Sequence, residues 1–573
     1  MNNEYIRVVN AKENNLKSIS VDIPLKKFVV FAGKSGSGKS TLAMNVIYNG
    51  YFNKSLNYDI KIKPCALVQR VSVLDSSTLL FEYMQIIGFD CKKIKISNYI
   101  DFYKQNKLSK FSTEELEEII KLLELDLIDL DKELKAISLG QFQKIRLFKM
   151  LINITDEQLI ILDEPAIGLN YVEAEKLAAA CNIITKAGFS LIVIEHSIPM
   201  INNCDHVVEF GPGAGCFGGQ VVFNGSIDGF KDSKSVLAEM IWKDTIKTSS
   251  NEEKLKKFLV IESVNEYRFS GENISLAIGK FTCIAGKTGT GKTACLDILY
   301  RSCDKSSGAG ERRKGLAEIK GKNEIRRPYI IDQSPIGNNS SSIPATYINV
   351  MDTIRNIFYE KQTCANKLTK SDFSFNADGK CKVCNGLGYS KDLVGGEPIF
   401  IKCDVCKGLR YNSDALKVKI KDYSIGEILS KTCDELLEIN LESNIISRKL
   451  GFLKTVELSY LTLGQPSNSL SGGEAQRIKI AKELSKKLGD RCVYILDTPS
   501  RGLHLSNMQS VINVLKMIVN KNNTVVIAEN NPYFIRTCDW LVYLTKDDRE
   551  NMSVLYQGKP QDAPKDVKME LGI

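Results

Sequence analysis

Ser471-Gly472-Gly473-Glu474-Ala475-Gln476-Arg477 opens a basic helical run, Ile478 to Lys487. A serine followed by two glycines at a helix N-terminus offers a hydroxyl, bare backbone N–H groups and the positive end of a helix dipole, which together suit a γ-phosphate. Such a segment completes a nucleotide site whose phosphate cradle lies elsewhere in the chain. Two cradles are present.

The first follows the apolar run Phe28-Val29-Val30-Phe31, a buried-strand pattern, and reads Gly33-Lys34-Ser35-Gly36-Ser37-Gly38-Lys39-Ser40 with Thr41 opening a helix. Gly33, Gly36 and Gly38, with Ser35 between them, let backbone N–H groups wrap phosphates. Lys39 is placed to reach the β and γ oxygens, and Ser40 to ligate magnesium. Further on, Leu159-Ile160-Ile161-Leu162 ends in Asp163-Glu164, and Leu191-Ile192-Val193-Ile194 ends in Glu195-His196. Asp163 suits holding magnesium, Glu164 polarising the attacking water, and His196 contacting the γ-phosphate. Gln69, between cradle and signature, fits a sensor of metal and nucleotide.

The second half repeats the first. Phe281-Thr282-Cys283-Ile284-Ala285 leads into Gly286-Lys287-Thr288-Gly289-Thr290-Gly291-Lys292-Thr293. Gly286, Thr288, Gly289, Gly291 and Lys292 form its cradle, and Thr293 is its magnesium ligand. Gln333 then matches Gln69, Ser471 matches Ser138, Asp497 matches Asp163 and Asn530 matches His196. The spacing from aspartate to the last position is 33 residues in both halves. From glutamine to signature it is 69 residues in the first half and 138 in the second, so the second half carries an extra module. The expected class is α/β, with two head-to-tail ATP-binding cassette (ABC) ATPase domains of the P-loop type and helical signature subdomains. The first would span 1–242 with a short helical insertion near 70–137, and the polar stretch 243–257 would be a linker. The second would span 258–573 with an insertion at about 301–455.

That insertion holds Cys381-x-x-Cys384 and Cys403-x-x-Cys406, 18 residues apart. Two such pairs predict a four-thiolate structural zinc site in a module at 381–406, with Gly386, Gly388 and Gly408 making the knuckle turns. The other twelve of the sixteen cysteines are scattered singly, which fits reduced thiols better than a disulfide framework. At 573 residues, with 43% hydrophobic and 25% charged residues, the composition is that of a soluble chain of several domains. No apolar run is long enough to span a membrane and the N-terminus lacks a signal-peptide pattern, so a cytoplasmic location without membrane association is expected. The net charge of +9 permits nucleic-acid binding without requiring it. Basic residues gather at Arg312, Arg313, Lys314, Arg326 and Arg327, and beside the cysteines at Lys382, Lys407 and Arg410. They are candidates for contacting duplex phosphates or for a solvated rim.

Several longer strings resemble the UvrA family, the damage-recognition ATPase of bacterial nucleotide excision repair. In the second half these are Ile331-Asp332-Gln333-Ser334-Pro335-Ile336-Gly337, Pro344-Ala345-Thr346-Tyr347, Phe373-Ser374-Phe375-Asn376, the cysteine module and Leu463-Gly464-Gln465-Pro466. In the first half they are Asn15-Leu16-Lys17 and Gly211-Pro212-Gly213-Ala214-Gly215 with Gly218-Gly219. The resemblance implies ATP, magnesium and zinc as cofactors, duplex DNA as partner, a homodimer, and ATP hydrolysis coupled to DNA binding without nuclease activity of its own.

The departures are specific. Between Gln69 and Ser138 there is no C-x-x-C pair, only helices such as Ser112–Leu125 with a capping box from Ser112 and Glu115. The absence of the family's first-half insertions speaks against docking of a UvrB-type partner. The first signature reads Ser138-Leu139-Gly140-Gln141, with Leu139 where glycine would admit phosphate. Thr498 replaces the catalytic glutamate and Asn530 the histidine. Since cassette pairs build each site from one cradle and the other half's signature, the first site would combine Lys39, Ser40, Asp163, Glu164 and His196 with Ser471, Gly472 and Gly473. The second would combine Lys292, Thr293 and Asp497 with Ser138 and Gly140. One hydrolytic and one degenerate site are expected, in a repair ATPase, in a related drug-resistance or DNA-protection factor, or in a cassette protein acting on ribosomes or a transporter.

Overall fold

A computed structural model describes residues 5–52, 58, 60, 62–67, 110–128, 139–152, 154, 158–213, 215–242, 257–264, 269, 271–303, 318–332, 334, 336–337, 341–362, 368–394, 397–470, 472–486, 489–501, 503–547 and 551–573. Gln69, Ser138, Gln333, Ser471, Arg312, Arg313, Lys314, and all but the last residue of the expected 243–257 linker fall outside them. Two compact units emerge, one of 1–329 with 491–512 and 523–573, the other of 330–490 with 513–522. This division cuts across the expected cassette boundaries, because the segments bearing both cradles pack together in the first unit.

In the first unit, strands β1 (Tyr5–Ala11) and β2 (Ile19–Pro24) pair antiparallel beside a six-stranded sheet. That sheet is built from β3 (Phe28–Gly33), β4 (Pro64–Leu67), β5 (Leu159–Asp163), β6 (Ser190–Ile194), β7 (His206–Gly211) and β8 (Gln220–Ser226), in the order β4-β5-β6-β3-β7-β8. All its pairs are parallel except β7 with β8. The central strands are apolar without alternation because both their faces are covered: every residue of β3 and of β6 is buried.

The second half repeats this plan. After β9 (Phe258–Val264), β10 (Glu272–Ala277) and β12 (Glu318–Lys320), which form a small sheet, come β11 (Phe281–Gly286), β13 (Arg327–Ile331), β18 (Cys492–Asp497), β19 (Thr524–Ala528), β20 (Trp540–Lys546) and β21 (Met552–Gly558). Their order is β13-β18-β19-β11-β20-β21, strand for strand that of the first sheet. The internal repeat in the sequence is thus a repeat of topology. Register aligns the chemistry: Asp163 lies opposite Ile194 and Phe31 opposite Ile194, while Asp497 and Ile284 both lie opposite Ala528. Cradle, acid and His196 or Asn530 therefore emerge at one carboxyl edge of each sheet, where open α/β sheets bind ligands.

The capping box at Ser112 and Glu115 is present, on a helix running Thr113–Leu122 and followed by a short 3-10 turn. The second unit is mainly helical around the signature helix Gly472–Ser485, against which Asn444–Thr455 packs. It also holds the hairpin of β14 (Tyr389–Val394) and β15 (Glu397–Lys402), and the short pair β16 (Lys419–Ile420) and β17 (Tyr423–Ser424).

Candidate nucleotide sites and metal centre

The two cradles are held alike. Gly33 has φ 126° and Gly286 φ 153°, and a Cβ there would meet the carbonyl oxygen of Phe210 at 2.2 Å and of Leu544 at 2.4 Å. Only glycine lets the loop leave the strand so close to its neighbour. Lys39 Nζ donates to the carbonyls of Gly33 (2.7 Å) and Lys34 (2.8 Å), and Lys292 Nζ to those of Gly286 (2.7 Å) and Lys287 (3.0 Å). Each ammonium is thereby curled over its own loop.

The first-half strings outside the cradle support it. Asn15 Nδ2 donates to the Gly36 carbonyl (2.9 Å), while Gly215 N donates to Gly36 and Gly219 N to Ser37, each at 2.9 Å. Asn14 Nδ2 reaches the Thr41 hydroxyl at 3.5 Å.

Around Lys39 gather three acids, Asp163 and Glu164 half-buried and Glu195 buried. Burial, then Asp163 and Glu195, push the Glu164 carboxyl up to about 8 against the pull of Lys39 and Arg501. Burial lowers Lys39 to about 8 although Glu164, Asp163 and Glu195 favour its charge. Burial, then Lys39 and His504, hold His196 well below the ordinary imidazole value, so its ring is neutral and suited to hydrogen bonding. Glu195, which sequence reading passes over, is the frame: it accepts from Ala166 N (3.1 Å) and Ser197 N (3.2 Å) and also from His196 N. Glu529 repeats this in the second half, accepting from Ser500 N (3.0 Å), Asn530 N (2.8 Å) and Asn531 N (3.0 Å).

The halves differ where the acid should stand. Glu164 has φ 49° and Thr498 φ 45°, and their N–H groups donate to Ile194 (2.9 Å) and Ala528 (2.8 Å). A β-branched residue at positive φ is a strained choice, yet Thr498 keeps the backbone geometry of Glu164 without its carboxylate. Its hydroxyl donates to Asp497 (3.0 Å), and Thr293 Oγ1 donates to the same carboxylate at 2.9 Å. Threonine and aspartate are thus already together where they would share a magnesium ion, as Ser40 and Asp163 would in the first half. Asn530 Oδ1 accepts from Gly286 N at 3.2 Å.

Both sets line one cavity of about 130 Å³, with Glu164, His196, Lys292, Thr498, Arg501 and Asn530 on its wall. Arg501 and His504 enter it, or stand behind it, from the second half. The Arg501 charge favours ionised Glu164, and His504 packs edge-on to His196 with centroids 5.5 Å apart. Neither carries a sequence signal of its own, because their role comes from apposition of the halves.

The first signature reaches the second cradle. A Cβ on Gly140 would meet the Thr288 side chain within 3.1 Å, and one on Gly289 would meet the Gln141 amide at 3.3 Å. In the second unit, Gly472 and Gly473 open the signature helix, whose Gln476 donates to the Ile331 carbonyl (3.1 Å). Lys479 pairs with Asp332 and donates to Ser334 (2.7 Å). Signature helix and the segment flanking Gln333 are tied together.

The cysteines converge as expected. All four sulfurs lie within 4.8 Å of one another, with Cys381–Cys403 at 4.0 Å and Cys384–Cys406 at 3.7 Å. Zinc–thiolate bonds of about 2.3 Å in a tetrahedron require sulfurs about 3.8 Å apart, so the residues fit that ion. Gly386, Gly388 and Gly408 take φ 78°, 80° and 89° in the turns. Lys382 and Lys407 are exposed on this module; Arg326 and Arg327 are exposed in the first unit. Arg410 is a correction to the expected basic surface. It is buried, stacks on Phe375 at 5.3 Å, and donates to the Gly386 (3.4 Å) and Gly464 (3.0 Å) carbonyls. Two arms of its fork meet one carbonyl of the knuckle and one of the Leu463-Gly464-Gln465-Pro466 string, which makes it a brace.

The ABC transporter family model matches residues 16–167. The chain is 37% identical over 447 residues to UvrABC system protein A of Aquifex aeolicus, covering 76% of this chain and 48% of that protein. It is 34% identical over 447 residues to the protein of that name from Thermus thermophilus, covering 76% and 47%. The chain spans about half the length of the curated relatives it matches. The crystal structure of UvrA2 from Deinococcus radiodurans shares its fold, with a TM-score of 0.83 over 98% of both chains at 21% identity. The resemblance and the ABC-type fold read from the sequence are borne out. Among the described residues no helix is long and apolar enough to cross a membrane.

Proposed function

We propose, for a chain whose likeness to UvrABC system protein A extends over most of its length, an ATP-driven duplex-DNA-binding protein in which one site hydrolyses and the other mainly binds nucleotide. The observation that carries this reading is the matched pair Glu164 and Thr498, the same strained backbone with a carboxylate in one half only. In the first site Lys39 and the cradle amides bind and orient the phosphates, Glu164 takes the water's proton, and neutral His196 hydrogen-bonds the γ-phosphate. Magnesium, held by Ser40 and Asp163, would neutralise phosphate charge. In the second site Lys292, Thr293 and Asp497 retain the binding groups, and Thr498 offers no carboxylate at the position of Glu164. Four thiolates would hold zinc as a structural ion.

The similarity to UvrA supports DNA as the partner, and the first-half brevity supports action without a UvrB-type helicase. Exposed Lys382 and Lys407 offer ammonium groups on the cysteine module to duplex phosphates. Anisotropy titrations of a labelled duplex should show affinity falling steeply with salt and little dependence on sequence. Replacing both lysines by alanine should reduce the salt slope by about two, one for each ammonium withdrawn from a phosphate. Absence of duplex binding at low salt, with and without ATP, would overturn the DNA reading.

A further inference from the structure

One buried carboxylate reaches the second cradle from the first half. Glu173 sits in the first turn of the helix Tyr171–Lys186, just after the acid-bearing strand, where Asn170 caps it. Its Oε2 accepts from Asn170 N (3.0 Å), from Thr288 N (3.2 Å) and from the Thr288 hydroxyl (2.6 Å). Its Oε1 accepts from Lys144 Nζ at 3.2 Å, and both side chains of that ion pair are only 5% exposed. Lys144 lies on the first signature helix, Leu139–Ile152, and Thr288 lies within the cradle. Three elements that must act together on nucleotide therefore meet at one anionic group.

We propose that Glu173 is a positioning residue that sets the nucleotide affinity of the second cradle and registers the first signature helix upon it; this rests on the reading that the second cradle binds nucleotide. Thr288 N–H belongs to the loop that would face phosphates, and a carboxylate already accepts from it. An arriving phosphate competes with Glu173 for that donor and is repelled by its charge, while Lys144 offsets the repulsion. Burial favours the neutral acid, but Lys144 and the bonds from Asn170 and Thr288 outweigh it, so the carboxyl lies below its ordinary range and is ionised at neutral pH. The other half lacks the device: ten residues beyond Asp497, where Glu173 stands beyond Asp163, the chain has Asn507.

The test uses the full chain with Lys39→Ala, so that mant-ATP reports the second cradle alone, and Lys39→Ala with Lys292→Ala as the non-binding control. Glu173→Gln keeps an acceptor for Thr288 and removes the charge, so mant-ATP should bind at least about threefold more tightly. Lys144→Met leaves the carboxylate uncompensated and should weaken binding by a similar factor, while Lys144→Arg should restore it. The double variant Lys144→Met with Glu173→Gln should resemble Glu173→Gln. A purely structural role would weaken binding in both single variants. That result, or no change in a folded Glu173→Gln protein, overturns the inference. Failure of the Lys39→Ala protein itself to bind mant-ATP would overturn instead the reading of the second cradle beneath it.

Discussion

Glu164→Gln should lower steady-state ATP turnover by about 10²–10⁴-fold while leaving ATP binding nearly unchanged, because the amide cannot accept the proton of the attacking water and the cradle is untouched. The repeat supplies no carboxylate at the matching position, where Thr498 stands with its hydroxyl on Asp497 at 3.0 Å. The environment of Glu164 adds a pH signature. Burial beside Asp163 and Glu195 raises its carboxyl to about 8, and a base works only when ionised. At neutral pH about one molecule in ten of the free protein would carry the carboxylate, so kcat/KM should climb about tenfold per unit below that value and fall above it as Lys39, itself lowered to about 8, loses the charge that holds phosphate. Arg501 favours the ionised form, and Arg501→Met should move this limb to higher pH. ATPase assays across about pH 6 to 9.5 check both points. Retention of more than half the wild-type rate in the Glu164→Gln protein would remove the first site as the engine.

What can be read from the sequence follows the range of the interactions. Cradles, acid-ending strands and paired cysteines are local patterns: a glycine loop after a buried strand means the same thing in each half, and the two sheets accordingly repeat strand for strand. The Ser112 capping box is legible for the same reason. Illegible are the groups whose meaning arises when distant segments meet. Glu173 reads as an ordinary first-turn acid until Thr288, 115 residues away, arrives on its carboxylate. Glu195 and Glu529 read as strand-end charges, yet each accepts three backbone donors and so shapes the turn that presents His196 or Asn530. Arg410 is misread because composition places arginine at the surface, whereas two carbonyls and the Phe375 ring make an interior position favourable for its stem and fork.

The module around the cysteines should depend on metal more than any other part of the chain. Among the described residues the buried cluster at the knuckles is the four cysteines, and Val383 and Val405 point outward at 67% and 66% exposure. Four thiolates are thus the main interior of the knuckles, and in small zinc domains the bound ion contributes about 10–16 kcal/mol of apparent free energy at neutral pH. Purified protein should carry about one zinc per chain, and Cys384→Ser or Cys406→Ser should release it, since three thiolates with one hydroxyl no longer satisfy the ion. Loss of metal should free the two knuckles from each other, opening the hairpin Tyr389–Lys402 to protease and loosening the Phe375, Tyr411 and Arg410 packing beneath. Arg410→Ala provides the contrast: it should keep the zinc but weaken the brace to Gly464. Both cradles belong to the other compact unit, so mant-ATP binding should survive in the cysteine variants while duplex affinity falls. Metal analysis showing no zinc, or iron with a visible chromophore, would overturn the assignment. Equal loss of nucleotide and duplex binding would show instead that the module holds the whole chain together.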